Sequence, residues 1–325
     1  MDLHSRIYVA GHTGLVGSAI MRRLAACGYG SIITRQHSEL DLTKQGDVDE
    51  FFAAEKPEYI FMAAAKVGGI RANSSFPADF SYENLMMECN VLHSAHKYNA
   101  KKLLFMGSAC IYPKDCPQPI KEDSLLTGIP DASVEGYALA KITGLKLCEY
   151  FNRQHGTNFI GVVPTNVYGP NDNFDLQASH VLAAILRKTN EAMINSNPCI
   201  ELWGTGKARR DFMFSDDLAD ACVYLMENYS GSELINIGTG SDISIADLAQ
   251  LIKKVTGYIG DIKYDTSKPD GMKQRLLDVS RLEGLGWKSK TSLEAGIRKT
   301  YEWYLGSFGS PDQATKPVQG RATGN

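Results

Sequence analysis

Five short runs in the first half of the chain are apolar almost without interruption: "RIYVAG" (6–11), "SIIT" (31–34), "YIFMAAA" (59–65), "KLLFMGS" (102–108) and "FIGVVPT" (159–165). A strand with one wet face alternates apolar and polar residues, so runs like these belong to strands covered on both faces. Helical patterns lie between them, over roughly 15–27, 44–55, 81–99 and 136–154. Strand and helix in strict alternation predict a doubly wound parallel sheet with helices on both faces. After about residue 170 helical patterns (178–195, 216–228, 244–257, 292–305) alternate with short strand candidates at 200–203, 233–237 and 261–265. This predicts a smaller C-terminal α/β lobe. The expected division is 1–170 with parts of 205–240 for the sheet domain and the remainder of 171–305 for the lobe. The polar, Gly/Pro-rich stretch 306–325 reads as a disordered tail.

"VAGHTGLVGSAI" leaves the first strand and opens the first helix. Its glycines, Gly11, Gly14 and Gly17, have GxxGxxG spacing. The early ones allow a tight turn and close backbone approach to a pyrophosphate, the last lets helix pack on strand, and the helix N-terminus favours the anion. The fold is therefore expected to be Rossmann-type. A Gly-rich turn without ligand has the same composition, but its place between first strand and first helix favours a dinucleotide. The second strand ends "IITRQHSELDL" with no acid directly after it, where an NAD enzyme carries one for the ribose 2′-hydroxyl. Arg35 and His37 stand there instead and suit a 2′-phosphate, so NADP(H) is the expected cofactor. Asp41 and Leu42 are placed at the adenine edge.

In "EGYALAKITG", Tyr137 and Lys141 are four apart and share a helix face. An ammonium beside a phenol lowers the phenol's pKa and equips it to exchange a proton with a substrate oxygen. Ser108 falls at the carboxyl end of its strand, where parallel sheets bind ligands. Cys110 follows two residues on. Strand alternation would carry both side chains to one side.

With "TNVYGP" (165–170) added, the chain resembles the short-chain dehydrogenase/reductase superfamily in its extended, nucleotide-sugar-modifying form. Within it the chain is most similar to the GDP-L-fucose synthase family, the GDP-4-keto-6-deoxy-D-mannose 3,5-epimerase-4-reductases. The stretches carrying this are "AGHTGLVGSAI", "AAAKVGGI", "KLLFMGSACIYP", "YALAKI", "PTNVYGPNDNF", "SHVLAAILR", "KPDG" and "LLDVSRL", from residue 8 to about 282. The resemblance implies that Cys110 and His180 act as epimerisation base and acid, with Ser108, Tyr137 and Lys141 stabilising the C4 oxygen. Alone, Cys110 reads as a buried inert thiol and His180 as a core or helix-terminal histidine; the surrounding motifs reverse both readings. The ketone at C4 acidifies the C3 and C5 protons, and inversion needs a proton removed from one face and returned to the other.

The resemblance further implies NADP(H) contacts at Gly11, Thr13, Gly14, Leu15, Val16 and Gly17, at Arg35, His37, Asp41 and Leu42, at Ala64, and at Lys141, Pro164, Asn166, Val167 and His180. Lys66 is expected beside the cofactor. Ser108, Asn166, Asn173, Arg187, Trp203, Arg210 and Asp270 are the implied contacts to the GDP-sugar. Many bacterial relatives carry arginine in place of Thr13 and another basic residue in place of His37, which weakens the implied preference for NADP over NAD.

Other readings stay open. A related GDP-4-keto sugar, colitose-type or a heptose, would require only part of this chemistry. A nucleotide-sugar 4-epimerase shares the Tyr–Lys pair. A 4,6-dehydratase places an acid shortly after the strand-end Ser or Thr, and "GSACIYP" has none. A non-enzymatic cofactor-binding regulator tends to lose Tyr or Lys, and both are present.

Net charge is −3 without a long basic run, which argues against nucleic acid. No apolar stretch suggests a signal peptide or membrane span. Seven cysteines, an odd count without CxxC, predict neither a disulfide framework nor a zinc site and fit a cytoplasmic protein. His93 and His96 lack a third ligand, so no metal is expected. Apolar residues beyond one stripe on 81–99 (Leu85, Met86, Met87, Val91, Leu92) and 136–154 (Leu139, Ile142, Leu145, Leu147) predict a homodimer through a four-helix bundle.

Overall fold

The computed structural model describes residues 1–176, 178–268 and 270–309. The first half runs β1 (Ile7–Ala10), α1 (Leu15–Ala26), β2 (Ile32–Ile33), α2 (Gln45–Glu55), β3 (Tyr59–Met62), α3 (Ile70–Ser75), α4 (Pro77–Lys97), β4 (Lys102–Met106), α5 (Glu135–His155) and β5 (Phe159–Pro164). The second runs β6 (Asn166–Tyr168), α6 (Val181–Ile194), β7 (Cys199–Trp203), β8 (Arg209–Arg210), β9 (Phe212–Phe214), α7 (Ser215–Asn228) and β10 (Ile235–Ile237). It finishes with β11 (Ile243–Ser244), α8 (Ile245–Thr256), β12 (Asp261–Asp265), β13 (Gln274–Arg275), α9 (Ser280–Gly284) and α10 (Leu293–Phe308).

The central sheet has the order β10-β5-β4-β3-β1-β2, with every pair parallel. The apolar runs are explained by what covers them. Along β1, Ile7 and Val9 enter the core under α1 and α7, whereas Tyr8 and Ala10 enter the core under α2, α4 and α5. Each such side chain fully withdrawn from water contributes about 1.5–3 kcal/mol, so a polar residue is costly at either parity. The chain passes from β2 to β3 across β1, which places the topological switch between the carboxyl ends of β1 and β3.

A third core joins α6, α8 and α10 with β7 and β9. Its sheets are small: β12 with β7, β6 with β9, and β11-β8-β13. Strand β10 returns from this part of the chain to pair with β5.

Three expected boundaries shift. The helix expected at 81–99 begins at Pro77, because proline suits a first helical turn whose N–H groups have no intrahelical acceptor. The tail expected from 306 begins inside α10, which continues to Phe308; residues 310–325 lie outside the described residues. Strand β4 ends at Met106, and Ala109–Ile111 forms a 3-10 turn, so Ser108 and Cys110 are not brought together by strand alternation.

Candidate active site

The glycine turn sits at the switch point. Gly11 has φ +79°, and a Cβ there would lie 2.8 Å from the Ala64 N and Cα atoms. A Cβ on Gly17 would lie 2.1 Å from the Gly11 carbonyl oxygen. Both positions therefore exclude any other residue. The α1 N-terminus carries neither a side-chain cap nor an acid in its first turn. Thr13, Gly14, Leu15 and Val16 form this cradle, with Ala64 facing it after β3. The cradle fits a pyrophosphate at the positive end of the helix.

At the second strand, Arg35 donates to the Thr34 carbonyl and pairs with Glu55 at 2.5 Å, its guanidinium 5.4 Å from the Phe51 ring centroid. Glu55, at the end of α2, is a partner that sequence reading missed. Burial opposes ionisation of Asp41, but hydrogen bonds from Thr43 and the charges of His37 and Lys44 hold its carboxyl below the usual range. Leu42 is buried.

The chemistry-bearing side chains converge after β4. Ser108 is extended and half-buried, and its hydroxyl lies beside both Tyr137 and Cys110, where it favours the ionised form of each. Burial pushes the Cys110 thiol up, against the Ser108 hydrogen bond and the charges of Arg275 and Lys141. His180 caps the N-terminus of α6. It is open to solvent on one side, yet the protein packed around the ring lowers its imidazole pKa. Both shifts favour the uncharged forms, thiol and neutral imidazole, over the thiolate and imidazolium that the expected roles call for.

The Tyr137 phenol also departs from expectation. Burial, and then the Cys110 and Glu88 charges, raise it well above its ordinary range. Lys141 does not offset this. Its Nζ lies 5.8 Å from the Tyr137 ring centroid, 4.9 Å from that of Phe105, and 3.0 Å from Glu88 Oε1. Glu88 escaped the sequence reading, although an acid on the buried stripe Phe80–Asn84–Glu88–Val91 of α4 is a visible anomaly.

On the lobe side, Arg210 on β8 and Arg275 on β13 are register neighbours in parallel strands. Burial and the Arg275 charge lower the Arg210 pKa to about 10. The Arg275 Nε is buried without a hydrogen-bond partner among the described residues. Arg275, which no motif singled out, is tied to the Cys110 segment. Leu276 N–H donates to Gln118 Oε1 at 2.7 Å, and Ile120 N–H to the Leu276 carbonyl at 2.8 Å.

The remaining expected contacts are placed differently. Arg187 spends its guanidinium on Glu191 (2.6 Å) and the Phe174 carbonyl (3.0 Å). Asp270 accepts from the Thr205 N–H and hydroxyl, holding the turn after β7. Asn173 accepts from the Asp175 N–H, and Asn166 donates to the Asp211 carbonyl. Pro164 ends β5 and Val167 lies in β6. Trp203 is 61% exposed at the end of β7, with Lys268 Nζ 5.9 Å from its ring centroid. Lys66 pairs with Glu83. No group of three or more His, Cys, Asp or Glu among the described residues has the geometry to hold a metal.

A model of the NAD dependent epimerase/dehydratase family matches residues 7–238. The chain is 51% identical to GDP-L-fucose synthase 1 of Arabidopsis thaliana over 304 residues, 94% of each protein. The chain belongs to the GDP-L-fucose synthase family. It is 48% identical to the GDP-L-fucose synthase of Escherichia coli K12, over 92% of this chain and 96% of that one. Among solved structures it superposes on a GDP-mannoheptose C4 reductase from Campylobacter jejuni with NADP bound. The TM-score is 0.85 at 39% identity, covering 94% of this chain and 99% of the other. Family membership accounts for the glycine turn, the Tyr–Lys pair and the strand-end serine occurring together in one chain.

Proposed function

We propose that the protein converts GDP-4-keto-6-deoxy-D-mannose to GDP-L-fucose, epimerising C3 and C5 and then reducing C4 with NADPH. The observation that carries this is the turn after β4, where one hydroxyl, Ser108, lies beside both Tyr137 and Cys110 and favours the ionised form of each. The carbonyl chemistry and the chemistry of its neighbouring carbons thereby share one anchor.

Cys110 and His180 work from opposite faces of the sugar. Cys110 takes a proton from the carbon beside C4, the C–H electrons move onto the C4 oxygen, and His180 returns a proton to the other face. Because the resting forms are thiol and imidazole, a proton must pass from Cys110 to His180 before or as the C–H bond breaks. The Ser108 hydrogen bond and the Arg275 and Lys141 charges favour the thiolate. Ser108 and Tyr137 bind the C4 oxygen during enolisation, and Tyr137 protonates it on reduction. The dinucleotide, when bound, supplies the hydride.

The dinucleotide would be held by the Gly11–Gly17 cradle, with Arg35 and His37 for the 2′-phosphate and Asp41 and Leu42 for the adenine. Residues 1–170 with parts of 205–240 form this half, and the rest of 171–305 grips the GDP-sugar. Arg210 with Arg275 suits its diphosphate, since arginine forks bind such oxygens in pairs. Trp203 borders the nucleotide. Exposed Tyr82 (64%), Leu139 (48%) and Tyr150 (42%) on α4 and α5 support a homodimer through these helices. Seven free cysteines support a cytoplasmic setting, and no helix among the described residues is long and apolar enough to cross a membrane.

The test is turnover of GDP-4-keto-6-deoxy-mannose with NADPH in deuterated water. Deuterium at C3 and C5 of a reduced product is expected; reduction without deuterium would leave only a C4 reductase. That second reading is favoured by the resting thiol and neutral imidazole, neither of them in its proposed working form, and it would suit a GDP-heptose or another GDP-4-keto sugar. Gel filtration at low concentration checks the dimer, and KM for NADPH against NADH checks the cofactor.

A further inference from the structure

The Tyr137–Lys141 pair has a third member. Lys141 is 2% exposed and Glu88 1%, and their ion pair at 3.0 Å lies between α4 and α5. Beyond that pair, neither Glu88 carboxylate oxygen has a hydrogen-bond partner among the described residues. Burial raises the Glu88 carboxyl pKa, and the Lys141 charge and hydrogen bond work against that rise, so each group makes the burial of the other less costly. The Phe105 ring closes the remaining side of Lys141. The titratable groups facing the pair are Tyr137 and Cys148 on α5, Cys89 on α4, and Cys110 on the turn after β4. None of these is an alternative counter-charge at neutral pH, since burial raises all four.

We infer that Glu88 is a positioning residue of the reduction machinery: its buried carboxylate pairs with the Lys141 ammonium and holds it behind Tyr137, where it can balance the phenolate formed as the proton passes to the C4 oxygen. Without the carboxylate, the apolar pocket favours the neutral amine, and the phenolate formed on proton transfer loses its nearest cation. Glu88 also masks that cation at rest, which is consistent with the high resting phenol of Tyr137.

The inference rests on the proposed reductase reading for its kinetic test, and a second measurement is independent of it. In Glu88→Gln, kcat for C4 reduction at neutral pH should fall roughly 10- to 100-fold. KM and NADPH binding by fluorescence should hold. The loss should shrink as pH is lowered and Lys141 regains its proton. Glu88→Asp keeps the charge and should retain the wild-type pH profile with an intermediate kcat. Superimposable pH profiles for wild type and Glu88→Gln, or a loss equal at every pH, would overturn the inference. If the wild type turns over no GDP-sugar, the function reading fails and a stability cycle still decides. Glu88→Gln and Lys141→Met should each lower Tm, and the double variant should recover most of the loss. Additive losses would overturn the inference, and this readout also covers a Glu88→Gln variant too unstable to assay.

Discussion

The end of the site that performs chemistry and the end that grips the substrate are built in opposite ways. Ser108, Tyr137 and Lys141 hang from β4, which lies between two apolar cores, and from α5, which packs into one of them. Arg210 and Arg275 stand on strands two residues long, and Trp203 and Asp270 border turns. Charges at the first end are buried and paired internally; those at the second adjoin solvent-facing loops. Proton transfer demands fixed geometry, so it resides in regular structure, while recognition tolerates adjustment and resides on the periphery.

Four substitutions sharpen or break this contrast. Tyr137→Phe, at the rigid end, should lower kcat for reduction by about 10²- to 10⁴-fold with NADPH affinity unchanged in a fluorescence titration. Cys110→Ser should cut deuterium exchange by about 100-fold while a substrate needing no epimerisation is still reduced. In the wild type, exchange should decline on the acid side below the ordinary imidazole value of 6.5 and on the alkaline side above the ordinary thiol value of 9.0. The directions follow from burial, which lowers His180 and raises Cys110, and the alkaline limb should vanish in Cys110→Ser. At the gripping end, Arg210→Met should raise KM for the GDP-sugar about tenfold through lost charged hydrogen bonds, with kcat largely kept; an equal fall in kcat would erase the distinction. Arg187→Met should do least. Its Glu191 partner is one helical turn away, so a loss under about 1 kcal/mol in thermal unfolding is expected, with KM unmoved.

The same contrast explains what was legible in the sequence. Buried elements announce themselves, because a strand covered on both faces must read as an unbroken apolar run. The glycine turn was legible because only a residue without Cβ fits beside Ala64 or the Gly11 carbonyl. Tyr137 and Lys141 were legible from helical spacing. The partners of these residues were not. Glu88 is 53 positions before Lys141, Glu55 is 20 after Arg35, and the link between the Arg275 strand and the Cys110 segment joins Leu276 to Gln118, 158 positions apart. Local pattern carries no trace of such pairings. Arg187 and Asp270, expected at the substrate, have protein partners that local pattern did not reveal either.

One buried amide has a mechanical meaning. Asn236 of β10 accepts a hydrogen bond from the Tyr112 hydroxyl at 2.5 Å. It donates to the Ile120 and Asp278 carbonyls at 2.9 and 3.1 Å, while its N–H meets Glu122 Oε1. It thus rivets three stretches of chain at the edge of the sheet, including the one that continues from Cys110. A rivet in that place makes this border a fixed seam. Whatever movement admits a sugar nucleotide must be taken up away from this seam. The catalytic turn would then stay still while the mouth of the cleft moves.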